Sequence, residues 1–537
     1  MKNRGLIWIM VLLFAVAMSI PFLVPKTGWL ALIGFLPLLC ADAIADQLGI
    51  KRFFWFYFVA FVLWNAATTF WVWNATVGGA IFAILYNSIQ MAIIWGIFRL
   101  SKKGLDGVLP YLLLMTMWIA WEKVYFRLDF SWPWLTLGNA FARTTGLVQW
   151  YEYTGSLGGS LWVWLCNLGI FGLFCLLTGG PGKKWTAWGF VLSVLGVIAA
   201  FVAPIVLSSC IYSNYEEKSE GSLDVLVAQP NFDPYQKFES LTQAQQNAVL
   251  VDLVDSALEG RDSSKILILA PETFTSDIVL SQVEASPTVQ TMRHMLQRHP
   301  GAQLLFGAST YEYYNTHAAP SLLARKYGDT WVENHNSAFL LKADGSYDLF
   351  HKSKLVIGTE LTPLPKIFVP FDDWLSKKLH VSGLMGRCIG QDEISLLNWD
   401  NQTPIGCAVC YESVYGEYCT DYVRKGAKAM TVITNDAWWG DTPGYRQHLS
   451  YARLRAIELR RDIARCGNTG ISAFIDQKGD VLSESEWWTK QTLSGKVNLN
   501  SFQTAFVRYG DIVGRVCTFA FLLLLLLALV RGLIKRV

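Results

Sequence analysis

Three short stretches hold the side-chain types of a cysteine acyl-transfer site. In Cys407-Ala-Val-Cys-Tyr-Glu-Ser413 an apolar run ends on Cys410, directly before Tyr411 and Glu412. Ala270-Pro-Glu272 ends another apolar run, and His351-Lys-Ser-Lys354 supplies two ammonium groups. A thiol with the ordinary pKa of about 8.5 is mostly protonated at neutral pH. A carboxylate beside it can take the proton, worth roughly 10²–10⁴ in rate. A fixed ammonium and a backbone N–H can then hold the oxyanion that forms, worth roughly 10²–10³ per donor. Each residue alone has a blander reading: an inert buried thiol for Cys410, a structural ion pair for Glu272, surface charges for Lys352 and Lys354. Cys407 and Cys410 also form a CxxC. No second pair accompanies it, and three residues apart on a strand they point to opposite faces, which disfavours a redox or metal site.

The elements that carry these residues divide into two kinds. The chain has 537 residues, 52% hydrophobic and 16% charged, with mean hydropathy +0.30. A soluble protein has roughly 25% charge. The net charge of +3 indicates neither a nucleic-acid binder nor an acidic tail, and 23 tryptophans suit a lipid–water interface. Apolar runs long enough to span occur at 6–24, 29–46, 53–73, 78–100, 108–126, 158–178, 185–207 and 514–531. Glu122 intrudes on the fifth, where a position at the water boundary is expected. Lys2, Arg4, Lys51, Arg52, Arg99, Lys102, Lys103, Lys183, Lys184, Arg531, Lys535 and Arg536 fall on one side of these spans; the alternate short loops carry only Lys26. Basic loops stay cytoplasmic, so both termini are expected inside and the insert at about 208–513 outside. A cleaved leader in place of the first span would leave the insert outside. The loop at 127–157 reads as an interfacial aromatic belt or as a lipid mouth. The expected division is a seven-span membrane domain over 1–210, an outer domain over 211–512, and an eighth span with a cytoplasmic tail over 513–537.

In the outer part, strand-like runs lie at 223–229, 266–270, 304–309, 337–341, 405–410, 430–435 and 471–476, with helical patterns at 243–258, 289–297 and 445–465. The alternation predicts an α/β sheet domain. The segments 342–345 and 477–480 read as hairpin turns.

The order Glu272, Lys352, Cys410 resembles the nitrilase (carbon–nitrogen hydrolase) superfamily. Asn435-Asp-Ala-Trp-Trp-Gly440, Gln447-His448, Arg453-Leu-Arg-Ala-Ile-Glu458, Asn468-Thr-Gly-Ile-Ser472 and Phe130-Ser-Trp-Pro-Trp-Leu135 are similar to one branch of it, the apolipoprotein N-acyltransferases. The span order matches that branch over nearly the whole chain. The resemblance implies a polytopic helical membrane domain plus an extracytoplasmic αββα sandwich. It implies Glu272 as general base, Lys352 as oxyanion-stabilising lysine and Cys410 as nucleophile, supported by Glu360, Tyr411, Glu412, Phe238 and Trp438. Here Lys354 stands where the family has His, Ile357-Gly-Thr-Glu360 replaces Pro-Phe-Gly-Glu, and Phe238 replaces a tryptophan. The 361–390 stretch is a candidate lid or a packed surface loop.

The implied reaction is ping-pong transfer of an acyl chain from a phospholipid to the α-amino group of a diacylglyceryl-modified lipoprotein cysteine. It passes through a Cys410 thioester at the bacterial inner membrane, with no metal, cofactor or nucleic acid. A membrane-tethered amidase or nitrile hydrolase would use the same triad with water as acceptor, but a single anchor would suffice for it. A different class is a transporter or receptor whose outer domain only binds ligand; the sparse intramembrane charge disfavours an ion-coupled carrier.

Overall fold

The computed structural model describes residues 2–178, 187–261, 265–381 and 383–534. The expected cytoplasmic cations Lys183, Lys184, Lys535 and Arg536 lie outside them. Eight helical segments fall at the eight apolar runs. Lys2–Leu23, Leu36–Gln47, Phe54–Thr69, Val77–Ser101, Leu109–Tyr125, Ser156–Leu177 and Ala187–Asn214 come first, and Ile512–Ile534 follows the outer domain. Among the described residues six stretches are long and apolar enough to cross a membrane. Phe54–Thr69 and Leu109–Tyr125 are shorter, at 16 and 17 residues. Large apolar side chains of the last two long helices face outward, among them Leu192 and Phe519. That is the arrangement expected of a surface in contact with lipid.

The second apolar run is not one continuous helix. It breaks at Phe35, whose N–H donates to Asn167 Oδ1 at 2.8 Å, while Asn167 Nδ2 donates to the Ala31 carbonyl at 2.9 Å. Freed backbone groups inside an apolar bundle need such partners. Glu122 does not sit at the water boundary. It is buried, and its Oε1 accepts from Leu137 N at 2.9 Å and Trp118 Nε1 at 3.2 Å, pinning the 127–157 loop to the bundle. In the 127–157 loop Trp134 and Tyr151 are almost fully buried, whereas Tyr153 is exposed.

The α/β domain is a sandwich of two sheets. In the first, the path runs Gln491–Asn498, Ser222–Gln229, Ile266–Leu269, Gln303–Tyr314, Thr330–Lys342 and Arg325–Tyr327, with Thr275–Val279 and Tyr347–His351 paired alongside. In the second it runs Val481–Glu484, Ala473–Ile475, Ile463–Gly467, Ala429–Thr434, Pro404–Val409 and Leu397–Asn398. Side chains alternate along a strand, so each central strand feeds two cores. Val225, Val227, Leu267 and Leu269 pack against Cys407, Val409 and Val432 of the second sheet. Leu226, Ile268 and Leu304 pack outward on Leu250, Val254, Met292 and Met295 of the helices Gln243–Leu258 and Pro287–Arg298. Helices Gly416–Arg424 and Pro443–Leu459 cover the other face, completing the αββα layers.

The seven expected strands are all present, and both predicted turns join antiparallel strands. The helix expected over 445–465 ends earlier, at Leu459, where Arg460 takes a left-handed conformation (φ +48°). Residues Ile463–Gly467 instead form a central strand of the second sheet. The 361–390 stretch is not a plain loop. It contains the helix Pro365–Leu379, with Ile367, Phe371 and Trp374 exposed and Asp372 turned inward to Arg387.

Candidate active site

Cys410 follows the strand Pro404–Val409 and opens a buried 3₁₀ turn, Cys410–Val414. Its φ of +52° is costly for a residue with a Cβ. Hydrogen bonds hold the turn: His448 Nε2 donates to the Cys410 carbonyl at 3.0 Å, and Ser413 Oγ does so at 2.8 Å. Thr434 Oγ1 lies 3.2 Å from the Cys410 sulfur and 2.6 Å from Asp436 Oδ1. Asp436 also receives Arg465 Nη2 at 2.5 Å. Cys410, Asp436 and His448 are close enough to hold a metal ion. Their donor atoms are nevertheless engaged by protein partners, Asp436 by Arg465 and His448 by the Cys410 carbonyl, so the group reads as a brace.

Glu272 stands three residues beyond the end of strand Ile266–Leu269 and is almost fully buried. Its Oε1 accepts from Lys352 Nζ at 2.9 Å and Asn336 Nδ2 at 2.8 Å, and its Oε2 accepts from Asn435 N at 3.1 Å. The backbone there runs against Gly307, where a Cβ would meet Glu272 Cα at 2.5 Å, so only glycine fits. Lys352, directly after the strand Tyr347–His351, is fully buried between two carboxylates, with Glu360 Oε1 at 3.0 Å. Glu360 Oε2 accepts from Val356 N at 2.7 Å, and Asn336 bridges Glu360 as well, at 2.6 Å. The Ile-Gly-Thr sequence before Glu360 therefore still delivers its carboxylate to Lys352. Lys354 is elsewhere, over the rings of Tyr415 and Tyr418.

The electrostatics follow from this packing. Burial would raise the pKa of Glu272, but the Lys352 charge and the hydrogen bonds outweigh it and hold the carboxyl below its usual range. Burial would lower that of Lys352, yet the facing Glu272 and Glu360 raise it well above normal. Burial, then the Glu272 charge, pushes the Cys410 thiol well up. At neutral pH the resting triad is carboxylate, ammonium and thiol.

Glu412 ties the two halves together. Its Oε1 accepts from Ser353 N at 2.7 Å and Lys354 N at 3.1 Å, its Oε2 from Val409 N at 2.8 Å. One side chain thus clamps the Lys352 loop to the Cys410 turn. Glu412→Ala leaves three N–H groups without this acceptor. It is expected to cost at least about 2 kcal/mol, read as a lowered midpoint in thermal unfolding of the detergent-solubilised protein.

Tyr411 hydroxyl donates to the Ser131 carbonyl at 2.8 Å, and its ring stacks on Trp132 at 5.7 Å. Gln447 Oε1 accepts from Trp71 at 3.0 Å and Trp134 at 2.7 Å. These contacts join the α/β domain to the membrane domain. A cavity of about 500 Å³ is lined by Glu272, Lys352 and Cys410 and also by Gly79, Phe82 and Tyr86 of the helix Val77–Ser101. Trp438 lines it too, whereas the side chain of Phe238 lies outside the described residues.

Sequence reasoning assigned no role to Asn336, Thr434, Asp436 or His448. Asn336 leaves one signal, a polar run Glu333-Asn-His-Asn-Ser337 inside an otherwise apolar strand. All ten cysteines are free thiols, Cys388, Cys407, Cys419 and Cys466 among them.

Residues 180–505 match the carbon–nitrogen hydrolase family, and residues 14–169 match the apolipoprotein N-acyltransferase N-terminal domain. The chain is 29% identical over 496 residues to an apolipoprotein N-acyltransferase of Chlorobaculum tepidum, spanning 91% of this chain and 89% of the relative. It is 26% identical over 526 residues to that of Geobacter metallireducens, spanning 95% and 93%. Among solved structures, Saccharomyces cerevisiae Nit3, of nitrilase superfamily branch 10, aligns with a TM-score of 0.38 at 14% identity, over 53% of this chain and 93% of that one.

Proposed function

The chain belongs to the carbon–nitrogen hydrolase family and is an acyltransferase of the apolipoprotein N-acyltransferase type, and from that premise we propose a two-step transfer through Cys410. A phospholipid enters laterally from the outer leaflet. Cys410 sulfur attacks an ester carbonyl of that lipid while Glu272 accepts the thiol proton. Lys352 Nζ and the Tyr411 N–H hold the oxyanion, with Glu360 fixing Lys352 from behind. The tetrahedral adduct collapses, the C–O bond breaks, and the lysophospholipid oxygen leaves with the proton from Glu272. A thioester remains on Cys410. The neutral α-amino group of a diacylglyceryl-modified N-terminal cysteine then attacks the thioester, Glu272 takes the amine proton, the C–S bond breaks as the amide forms, and Glu272 passes that proton to the leaving sulfur, which restores the thiol and the carboxylate.

The observation that carries this reading is the cavity, whose wall is shared by the triad and by side chains of a membrane helix. An enzyme acting on soluble amides has no need of that second wall. Trp438, which lines the cavity, is assigned to the wall around the acyl chain. The same reading places the outer domain, over 211–512, on the periplasmic side of the bacterial inner membrane. Eight spans, over 1–210 and 513–537, then leave both termini in the cytoplasm.

Protein incubated with phospholipid alone is expected to gain one acyl group, found on the Cys410 peptide by mass spectrometry. Added diacylglyceryl-peptide should then discharge it, and two-substrate kinetics should be ping-pong. Release of free fatty acid without peptide acylation would instead identify water as the acceptor, the behaviour of a membrane-tethered amidase.

A further inference from the structure

A second cavity, of about 610 Å³, opens where the end of the helix Lys2–Leu23 meets the loop at 143–147 and the helix Pro443–Leu459. It shares no lining residue with the cavity at Cys410. Its wall contains four cations, Lys26, Arg143, Arg446 and Arg453, and one carboxylate, Glu484.

The positive charges are incompletely matched. Arg453 is held by Gly479 O at 2.7 Å, Thr145 Oγ1 at 3.0 Å and, more distantly, Asp480 at 3.8 Å. Arg446 reaches Asp441 at 3.4 Å on its exposed side. Arg143 donates to the Leu23 carbonyl at 2.7 Å. Among the described residues neither Arg143 nor Lys26 forms an ion pair with a carboxylate. Burial lowers the pKa of Arg143, and the neighbouring charges of Arg446 and Arg453 lower it further, so the cations repel one another. An anion in the cavity would relieve that repulsion.

Two features narrow the anion. Guanidinium groups from separate elements converge, and their planar forks suit tetrahedral phosphate oxygens. Lys26 follows the apolar helix Lys2–Leu23 by three residues, Arg143 binds the carbonyl at that helix's end, and Leu147 lines the same cavity; on the topology proposed above this end lies at the headgroup level of the outer leaflet. Basic pockets at that level hold headgroup phosphates. We propose that this cavity is a phosphate-binding site at the outer rim of the membrane body, apart from the reacting centre. The phosphate belongs to a phospholipid headgroup or is the free ion.

Native mass spectrometry of the full chain in detergent tests this. A Cys410→Ala background prevents turnover. The probes are phosphatidylglycerol, diacylglycerol with the same tails, and inorganic phosphate. The background protein is expected to retain a phosphatidylglycerol that Lys26→Gln/Arg143→Gln/Arg446→Gln binds at least about tenfold more weakly. Diacylglycerol should not distinguish the two. The pair Lys26→Gln/Arg446→Gln, both exposed, repeats the measurement with little risk to folding. If millimolar inorganic phosphate displaces that lipid from the background protein but not from the variants, the free ion is a ligand as well. If it does not, the headgroup is the source. Equal retention of both phosphatidylglycerol and phosphate by background and variant proteins overturns the proposal. Failure of the thioester reading would appear elsewhere, as absence of an acyl group on Cys410 in the unsubstituted protein, and would leave this comparison intact.

Discussion

Cys410→Ala is expected to lower acyl transfer from phospholipid to a diacylglyceryl-peptide by about 10⁴–10⁶-fold, the scale on which loss of a nucleophile acts. On the proposed mechanism no covalent intermediate forms without the sulfur, and the acyl group would have to pass directly between two lipid-bound substrates. Folding should survive, because the turn is held by groups other than the thiol: Glu412 on Val409 N, and His448 and Ser413 on the Cys410 carbonyl. The backbone gives an internal control. At φ +52° an alanine keeps the left-handed penalty, whereas a glycine is free of it. Cys410→Gly should therefore be more stable than Cys410→Ala by about 1 kcal/mol while being equally inactive. Retention of more than about one per cent of the transfer rate by either variant would remove Cys410 from the nucleophile role.

Glu272→Gln is expected to lower the rate of Cys410 acylation by about 10²–10⁴-fold and to change the shape of its pH profile. In the unsubstituted protein Lys352 keeps Glu272 below its ordinary 4.5 despite burial, so the base is ionised throughout the neutral range. The thiol lies well above 9.0, because burial and the Glu272 charge both raise it, so it stays protonated. The rate should then be flat from about pH 6 to 9, without the rise a free thiol would give. In the glutamine variant only pre-formed thiolate reacts, and the rate should climb about tenfold per pH unit. Single-turnover acylation monitored by mass spectrometry separates the two profiles. Stability follows the same charges. Glu272, with a depressed pKa, contributes stability above its unfolded value of about 4.3 that is lost as pH falls through the folded value. Lys352, with a raised pKa, contributes stability below its unfolded value of about 10.4 that is lost as pH rises through the folded one. The glutamine variant gives up the first contribution and should show a smaller acid-dependent melting shift, the part that remains coming from other carboxyls held below their usual range, Asp436 beside Arg465 among them.

The membrane body and the sheet domain were readable from composition and periodicity, because burial writes itself into a local pattern: long apolar runs in one, strand-length runs in the other. The same reasoning failed at 445–465. Leu449, Ala452, Ala456 and Leu459 hold a helical stripe, and Ile463 continues it by spacing alone. Only the pairing of Ile463–Gly467 with two neighbouring strands decides that the helix has ended. Glu122 misled for a related reason. A charge near the end of an apolar run looks like a boundary marker, and its partner, the Leu137 N–H, is supplied by the packing of the loop that follows.

By itself the order of amino acids determined that this chain has apolar runs of spanning length around an α/β domain, and that Glu272, Lys352 and Cys410 stand at or just beyond strand ends. A short polar motif at the end of an apolar run is a local feature and survives without coordinates. Only the tertiary structure decided that Asn336 bridges both carboxylates facing Lys352, that His448 braces the Cys410 carbonyl, and that membrane-helix residues share a cavity with the triad. It likewise decided that Lys26 gathers with three arginines from distant parts of the chain. These contacts join residues far apart in sequence, and sheet register and helix packing create them. Local periodicity records how deeply a residue is buried, not which distant residue it meets there.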